Sequence, residues 1–301
     1  MNMLPMDMQI SNELQFSRKN VLKYVRTFIN KNEEVSERVD QGVELVEEWL
    51  SKTYYASKQK RLTEVRLMDI HELVTDIFCS TAMFTTEETF VSAASQVAKH
   101  LRFEERKDSI QTVGELLGVL CNTGVFVIWK ISKESSMLLQ SQMRLPIELV
   151  NAIDRSQYLP PMVCLPKTVK TNFESGHITL NDSQILGKHG THNEDICLDV
   201  LNTQNKIPLK MCTEFLSIVE EEPNPGSLLD SVEKQANWDK AKAQSYEIYL
   251  LLAKQGNKFY HLNSYDKRGR LYSQGYNVNF QGASFKRACI ELHQPELVEG
   301  I

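Results

Sequence analysis

Asp266-Lys267-Arg268-Gly269-Arg270-Leu271-Tyr272 sets a glycine between two arginines, with a carboxylate four residues before the second arginine. A glycine turn lets backbone approach a polyanion closely. Arginines on either side of it can fork onto phosphate oxygens, and a nearby carboxylate can orient one guanidinium. A tyrosine two residues further on can rest against a sugar or base face. The flanking residues predict a β-hairpin, with Phe259-Tyr260-His261-Leu262 as one short strand and Arg270-Leu271-Tyr272 as its partner across a turn at Gly269. Downstream, Asn279-Phe280-Gln281-Gly282 leads into a helix beginning near Ala283 that carries Lys286 and Arg287. Side-chain amides ahead of a helix N-terminus suit polar ligands such as sugar hydroxyls and phosphates. Taken singly, each stretch also fits an ordinary solvated turn or helix cap.

Working outward, charge separates this region from the rest. Between Lys254 and Arg287 there are seven lysines and arginines and one acid, Asp266, a local +6 in a chain whose net charge is −5. Upstream, Glu220-Glu221-Glu222 runs into Pro223, Pro225 and Gly226, the clearest boundary in the sequence. A long helix is predicted between the two, from about 230 to 255, capped by Asp230 or Ser231 and stopped by Gly256. It carries Trp238, Lys240, Lys242, Tyr246 and Tyr249. Its aromatic residues read as core, and its lysines either as solvated charges or as contacts to a nucleic-acid duplex.

The N-terminal two thirds read as mostly helical. Val39, Val43, Val46, Trp49 and Leu50 make one apolar face over about 37–57. Further helices are expected over about 66–83 and 86–103. Ile110, Val113, Leu117 and Leu120 share a stripe on a helix started by Asp108 or Ser109 and ended by Gly124. Val125-Phe126-Val127-Ile128-Trp129 favours a buried strand. From about 155 to 192, Leu159-Pro160-Pro161 and Pro166 impose extended backbone, and Gly176, Gly187 and Gly190 mark turns. The fold class expected is mainly α with a small α+β C-terminal part.

Composition limits the function. With 301 residues, 42% hydrophobic and 24% charged, the chain has enough apolar sequence for a proper core, which excludes wholesale disorder. No run of about 18 apolar residues predicts a membrane span, and MNMLPMDMQI lacks the features of a signal peptide. Cys79, Cys121, Cys164, Cys197, Cys212 and Cys289 are scattered without a Cys-x-x-Cys pair, which fits free thiols in a reducing compartment. The acidic balance argues against a protein that coats nucleic acid with its whole surface and leaves room for a local basic site.

The order Asp-x-x-Gly-Arg-x-Tyr, then Asn-x-Gln-Gly, then a basic residue five after that glycine, resembles the template-binding motif at the start of the palm in the single-subunit RNA polymerases of phages and mitochondria. Here one extra residue separates Tyr272 from Asn279. Leu159-Pro160-Pro161-Met162-Val163-Cys164-Leu165-Pro166, followed by Ser175-Gly176, is similar to that family's Pro-Pro-Met-Val signature, with Val169 where the family has Trp. Leu201-Asn202 to Lys210 and on to Phe215-Leu216 keeps the family's spacing, with Leu209 in place of a Trp. Val113-Gly114, Leu116-Leu117 and Gly124-Val125-Phe126 look like the family's N-terminal helix, so the similarity covers about residues 65 to 301.

The resemblance implies a helical N-terminal domain over 1–222, a thumb over 223–257, and the first part of a palm over 258–301. It implies template or hybrid contacts at Asp266, Arg268, Gly269, Arg270, Tyr272, Asn279, Gln281, Gly282 and Arg287, with Lys240 and Lys242 as thumb contacts to the hybrid. In the family the two metal-binding aspartates, the fingers lysine and tyrosine, and the His-Asp motif all follow this segment. The chain ends at Ile301, so the expectation is a split enzyme of bacteriophage type: one subunit of a heterodimeric DNA-directed RNA polymerase, with no catalytic residue of its own and inactive alone. Its partner would carry the catalytic aspartates and the magnesium, and nucleoside triphosphates would be the substrates. The further partners implied are a DNA template, an RNA–DNA hybrid and an accessory promoter-opening or single-stranded-DNA-binding factor. The expected location is the cytoplasm of an infected bacterial host, with no membrane association.

Two other classes stand beside this one. A non-catalytic nucleic-acid-binding or transcription-regulatory protein would keep the basic hairpin and have no polymerising partner. A metal hydrolase would use His189-Gly190-Thr191-His192 with Asp195 and Cys197, although this spacing is looser than zinc sites show and fits a polar loop. No Gly-x-x-x-x-Gly-Lys loop and no Gly-x-Gly-x-x-Gly fingerprint is present, which removes nucleotide-hydrolase and Rossmann readings.

Overall fold

Pro5 opens the first helix, α1 (Pro5–Phe16), whose buried residues are polar: Gln9, Asn12 and Glu13. The structure is a computed structural model, and it describes residues 4–101, 103–130, 132, 135–181, 195–223 and 231–295. It is mainly helical with a few small sheets. The chain divides into two compact units, one formed by residues 18–154 and the other by 1–17 together with 155–301.

The unit of residues 18–154 is built on α2 (Arg18–Lys31), α3 (Glu33–Ser51), α4 (Ala56–Arg66) and α5 (Ile70–Ala82). Then come β1 (Glu88–Thr89), α6 (Phe90–Val97), α7 (Arg106–Leu120), β2 (Phe126–Trp129), β3 (Leu138–Ser141) and α8 (Ile147–Arg155). Caps explain where its helices start. Asn32 accepts the Val35 N–H and begins α3 earlier than the apolar pattern indicated, and α3 stops at Ser51. Asp69 accepts the Glu72 N–H and starts α5, so the helix expected over 66–83 is broken ahead of it. The stretch expected as a helix over 86–103 holds β1, α6 and a 3-10 turn. Neither Asp108 nor Ser109 caps α7; Glu105 occupies that position without a side-chain bond, and Ser109 is buried inside the first turn.

The core of this unit gathers Val21, Val25 and Ile29 with Val39, Val46, Ile77, Phe78, Val113, Leu117 and Leu120. Gly42 of α3 lets α5 and α7 come close, since a Cβ there would lie 2.9 Å from Val74 Cγ1 and 3.0 Å from Leu120 Cδ2. The run at 125–129 does form a strand, and the sheet order is β1-β3-β2, antiparallel throughout. Gly124, with φ +72, ends the 3-10 turn before it. Beneath these elements Glu115 takes both Lys58 Nζ at 2.7 Å and Arg61 Nη2 at 2.8 Å.

The second unit combines α1 with α9 (Leu198–Asn205), β4 (Leu209–Met211), α10 (Thr213–Ile218), α11 (Val232–Lys254), β5 (Asn263–Tyr265), β6 (Leu271–Ser273), α12 (Ser284–Ala288) and β7 (Ile290–Leu292). Ser231 accepts the Lys234 N–H and starts α11. Asp230, the other expected cap, lies outside the described residues, as do Pro225 and Gly226 of the expected boundary. At 23 residues, α11 is about 34 Å long. Its C-terminal half packs through Ile248, Tyr249 and Leu252, all buried, while Val232, Gln235 and Asp239 are exposed.

The strand expected at 259–262 is displaced. Phe259 and Tyr260 form isolated bridges to Leu209 and Met162, and the strand itself is Asn263–Tyr265. It pairs antiparallel with β6 in the register Asn263↔Ser273, Ser264↔Tyr272 and Tyr265↔Leu271. The apolar run was a poor guide because the true strand buries polar side chains, Asn263 and Ser264, at 2% and 7% exposure. β7 follows α12 and pairs with β4, which ties the last described strand to the region before α11.

Candidate nucleic-acid interface

The β5–β6 hairpin is closed by one carboxylate. Asp266 Oδ1 accepts the backbone N–H groups of Arg268 and Arg270, both at 2.9 Å. Its Oδ2 takes Arg270 Nε at 2.7 Å and Arg270 Nη2 at 2.6 Å, with Arg268 Nε at 3.6 Å. The Gly269 N–H donates to the Asp266 carbonyl, and Gly269 sits at φ +78, a conformation that L side chains resist. A Cβ there would meet nothing within 4 Å, so glycine is required by the backbone turn alone. The hydrogen bond from the Arg270 backbone, seconded by its guanidinium, holds the Asp266 carboxyl below its usual range. The Asp266 bond in turn raises Arg270. The guanidinium lies 5.4 Å from the Tyr272 ring centroid, a cation–π distance.

This arrangement presents Lys267, Arg268 and Arg270 to solvent on a rigid turn. Arg268 is 72% exposed at its side chain and reaches Asp266 only at 3.6 Å, whereas Arg270 is held by the same carboxylate at 2.6 Å. A guanidinium held on one side by a carboxylate keeps its remaining N–H groups for a second oxygen anion.

Asn279 and Gln281 take a different part from the one their types indicated. Gln281 Oε1 accepts the Ser273 N–H at 2.8 Å and its Nε2 donates to the Leu271 carbonyl at 3.2 Å, so one amide binds β6 at two points. Asn279 Nδ2 donates to the carbonyls of Ser273 and Gly275, and its Oδ1 accepts the Gln281 N–H. Gly282 donates to the Asn279 carbonyl, and a Cβ at Gly282 would lie 3.0 Å from that oxygen. These amides brace the hairpin from behind, with their hydrogen-bonding capacity directed at its backbone.

The remaining basic candidates divide. Arg287 is exposed on α12, with Nη2 3.3 Å from Ser284 Oγ. Lys286 turns inward, donating to the Tyr276 carbonyl at 2.7 Å and lying 4.1 Å from the Tyr276 ring; burial lowers its pKa against the opposing pull of Glu221. Lys242 is paired with Glu220 at 3.1 Å, and that hydrogen bond raises its pKa. Lys240 is exposed on the same helix. The acidic run therefore packs against α11, where Glu220 engages Lys242. Glu221 itself is buried, and its backbone N–H donates to Tyr246 Oη.

Gln9 and Glu13, which the sequence did not mark out, hold the backbone at Val163 and at Ile178–Thr179. Glu13, fully buried, accepts the Ile178 N–H at 2.8 Å, the Thr179 N–H and hydroxyl at 2.5 Å each, and Gln9 Nε2 at 2.9 Å. Burial would push its carboxyl up, but these bonds and His177 together bring it down to about 2. Gln9 Oε1 accepts the Val163 N–H. Asn202 brackets Val169 with both ends of its amide at 2.8 Å, and Asn205 Oδ1 accepts both nitrogens of Asn263. Gly176 is needed for close approach, because a Cβ there would stand 2.5 Å from Leu262 Cδ2. A polar residue on a short helix carries no periodic signal, so neither Glu13 nor Asn205 was legible from pattern.

His189 and His192 lie outside the described residues, and with them the metal-hydrolase reading; among the described residues no three His, Cys, Asp or Glu side chains gather as metal ligands. The six cysteines are free thiols. No described helix is long and apolar enough to cross a membrane. Compared with known proteins, the sequence matches no family model and no curated protein.

Proposed function

We propose that this chain is the template- and hybrid-holding subunit of a DNA-directed RNA polymerase of the single-subunit phage type, divided over two chains. In layout it resembles the smaller subunit of the heterodimeric RNA polymerase II of bacteriophage N4. The observation that carries the reading is the Asp266–Arg270 pair: one carboxylate both shapes the Gly269 turn and aims a guanidinium outward beside the exposed Arg268. In this reading α11 is the thumb, and the hairpin with its Asn279 and Gln281 brace begins the palm. Magnesium and its aspartate ligands are assigned to a second subunit, where the metal would neutralise charge on the incoming triphosphate. There the 3′-hydroxyl oxygen bonds to the α-phosphorus, the bond to pyrophosphate breaks, and the hydroxyl proton leaves to solvent.

The chain's own part is positional. Arg270 and Arg268 hold template phosphates near the growing end, and Tyr272 offers its ring to the sugar–base side of the strand. Holding a template within about an ångström of productive geometry is worth about 10²-fold in rate. The test is RNA synthesis by this chain mixed with the product of a neighbouring reading frame that bears the paired aspartates. Synthesis by the mixture alone supports the proposal, with about a 10²-fold loss on Arg270→Ala and unchanged subunit association. Salt-sensitive DNA binding with no polymerising partner would favour the regulatory alternative. Full activity of the Arg270→Ala mixture would overturn the site assignment.

A further inference from the structure

The acidic run does more than pair with α11. Glu220, Glu221 and Glu222 line a cavity of about 840 Å³ between that helix and α12, within the size range of ligand pockets. Trp238 of α11 and Tyr276 share its wall, and Lys286 is the one cation among the described residues that line it. Glu221 is 7% exposed, yet no hydrogen bond or ion pair reaches its carboxylate among the described residues. Lys286 and Lys242 act on it only through space, since Lys286 Nζ donates to the Tyr276 carbonyl and Lys242 Nζ to Glu220. Burial outweighs their pull and raises its pKa. Both of its oxygens keep accessible surface, so they open on the cavity and are not sealed in the core. Trp238 is unspent as well: it is half-buried, and no ring, cation or hydrogen bond engages it among the described residues.

The chemistry of this lining selects its occupant. Three carboxylates against one ammonium disfavour an anion. A metal ion is disfavoured too, because no three acid, His or Cys side chains among the described residues gather around one point. An unpaired, half-desolvated carboxylate calls for a charged N–H donor, and an indole face attracts a cation. The wall already holds such a contact within the chain: Lys286 Nζ lies 4.1 Å from the Tyr276 ring centroid, with Tyr158 stacked on Tyr276 at 4.3 Å. A cation with N–H donors and an apolar body is an alkylammonium or a guanidinium.

We propose that this cavity binds an organic cation, an alkylammonium or guanidinium, with its N–H groups on the Glu221 carboxylate and its body against Trp238. A free polyamine and a basic side chain of a partner protein offer the same chemistry. The test is calorimetric titration of the full chain at constant ionic strength, with spermidine and an N-acetyl arginine amide as probes. One saturable site is expected. Glu221→Gln keeps the shape and weakens binding about tenfold. Trp238→Leu weakens it several-fold. Glu214→Gln removes the same charge from an exposed position outside the cavity and leaves binding unchanged. Glu221→Gln removes an unpaired buried charge, so without a probe it melts no lower than the parent, which separates lost binding from lost fold. Spermidine binding the tighter assigns the site to a free polyamine; the arginine amide binding the tighter assigns it to a partner's side chain. Equal affinity of Glu221→Gln and the parent overturns the site. So does magnesium that competes as well as the probes bind, which marks general attraction to an acidic surface, and so does absence of binding by both probes.

Discussion

Asp266 Oδ2 lies 2.7 Å from Arg270 Nε and 2.6 Å from Arg270 Nη2, while the same residue's Oδ1 accepts two backbone N–H groups of the turn. One carboxylate thus does two jobs, and they can be separated. In Asp266→Ala the turn loses both backbone bonds and Arg270 loses its aim, yet the local positive charge grows. The expected outcome is retained affinity for single-stranded DNA at low salt with RNA synthesis down about 10²-fold in the two-subunit mixture. Anisotropy and single-turnover extension check the two halves. Parallel losses of affinity and rate would mean that Asp266 only keeps the hairpin folded.

Glu13 predicts a pH dependence of stability. Its carboxyl is held at about 2 in the folded chain against 4.5 in its ordinary state. The sign follows from a lowered folded-state value: the stabilisation is complete above about pH 4.5 and is lost as pH falls toward 2. Its size is on the order of 2–3 kcal/mol. Urea titrations should show Glu13→Gln less stable than the parent at pH 7, with the gap narrowing steadily below pH 4.5. A gap that stays constant to pH 3 would show that Glu13 is not the titrating group.

Gly176→Ala tests the close approach under the Pro-Pro-Met segment. The new methyl would stand 2.5 Å from Leu262 Cδ2, and overpacking of this kind costs about 1–3 kcal/mol. Thermal melting should register the loss, and pairing the change with Leu262→Ala should recover part of it by removing the obstructing atom.

In the other unit, Glu115 is the shared anion of two nearly buried cations, with Arg61 4% and Lys58 11% exposed at their side chains. Glu115→Ala strands both charges and should cost about 3 kcal/mol or more, beyond the cost of Arg61→Met, which leaves the Lys58 pair intact. Chemical denaturation of the two variants gives the order. Arg61→Met as the more damaging of the two would place the weight on packing of the arginine.

How far these features were visible beforehand depends on what each residue buries. The stripe of Val113, Leu117 and Leu120 announced α7, and Ser231 and Gly256 marked the ends of α11, because apolar period and cap chemistry act locally. The hairpin was legible for the same reason: the φ +78 of Gly269 is a backbone demand met by that residue itself. Its strand was placed four residues early because Phe259 and Tyr260 are core residues of single bridges, while Asn263 and Ser264 are polar residues inside a strand. Asn279 and Gln281 were read as reaching for a ligand because an amide's partner is invisible in sequence; the structure turns both onto β6. α1 escaped notice entirely, since its fully buried residues are Gln9, Asn12 and Glu13, and the apolar side chains it packs on the core, Met8 and Phe16, lie eight residues apart.

That polar face bears on how the chain is made. Asn12 exchanges two amide hydrogen bonds with Gln255, a residue 243 positions later. At about 5–20 residues per second, a ribosome needs on the order of ten seconds or more to deliver that partner. For the first part of that interval, until residues 163–179 follow, the first helix waits undocked while residues 18–154 emerge and acquire their own core. A helix with an apolar docking face would spend the wait as a sticky surface open to misassembly. Glutamine, asparagine and glutamate spend it hydrated: Gln9 and Glu13 surrender that water to residues 163–179, and Asn12 only when Gln255 at the end of α11 arrives.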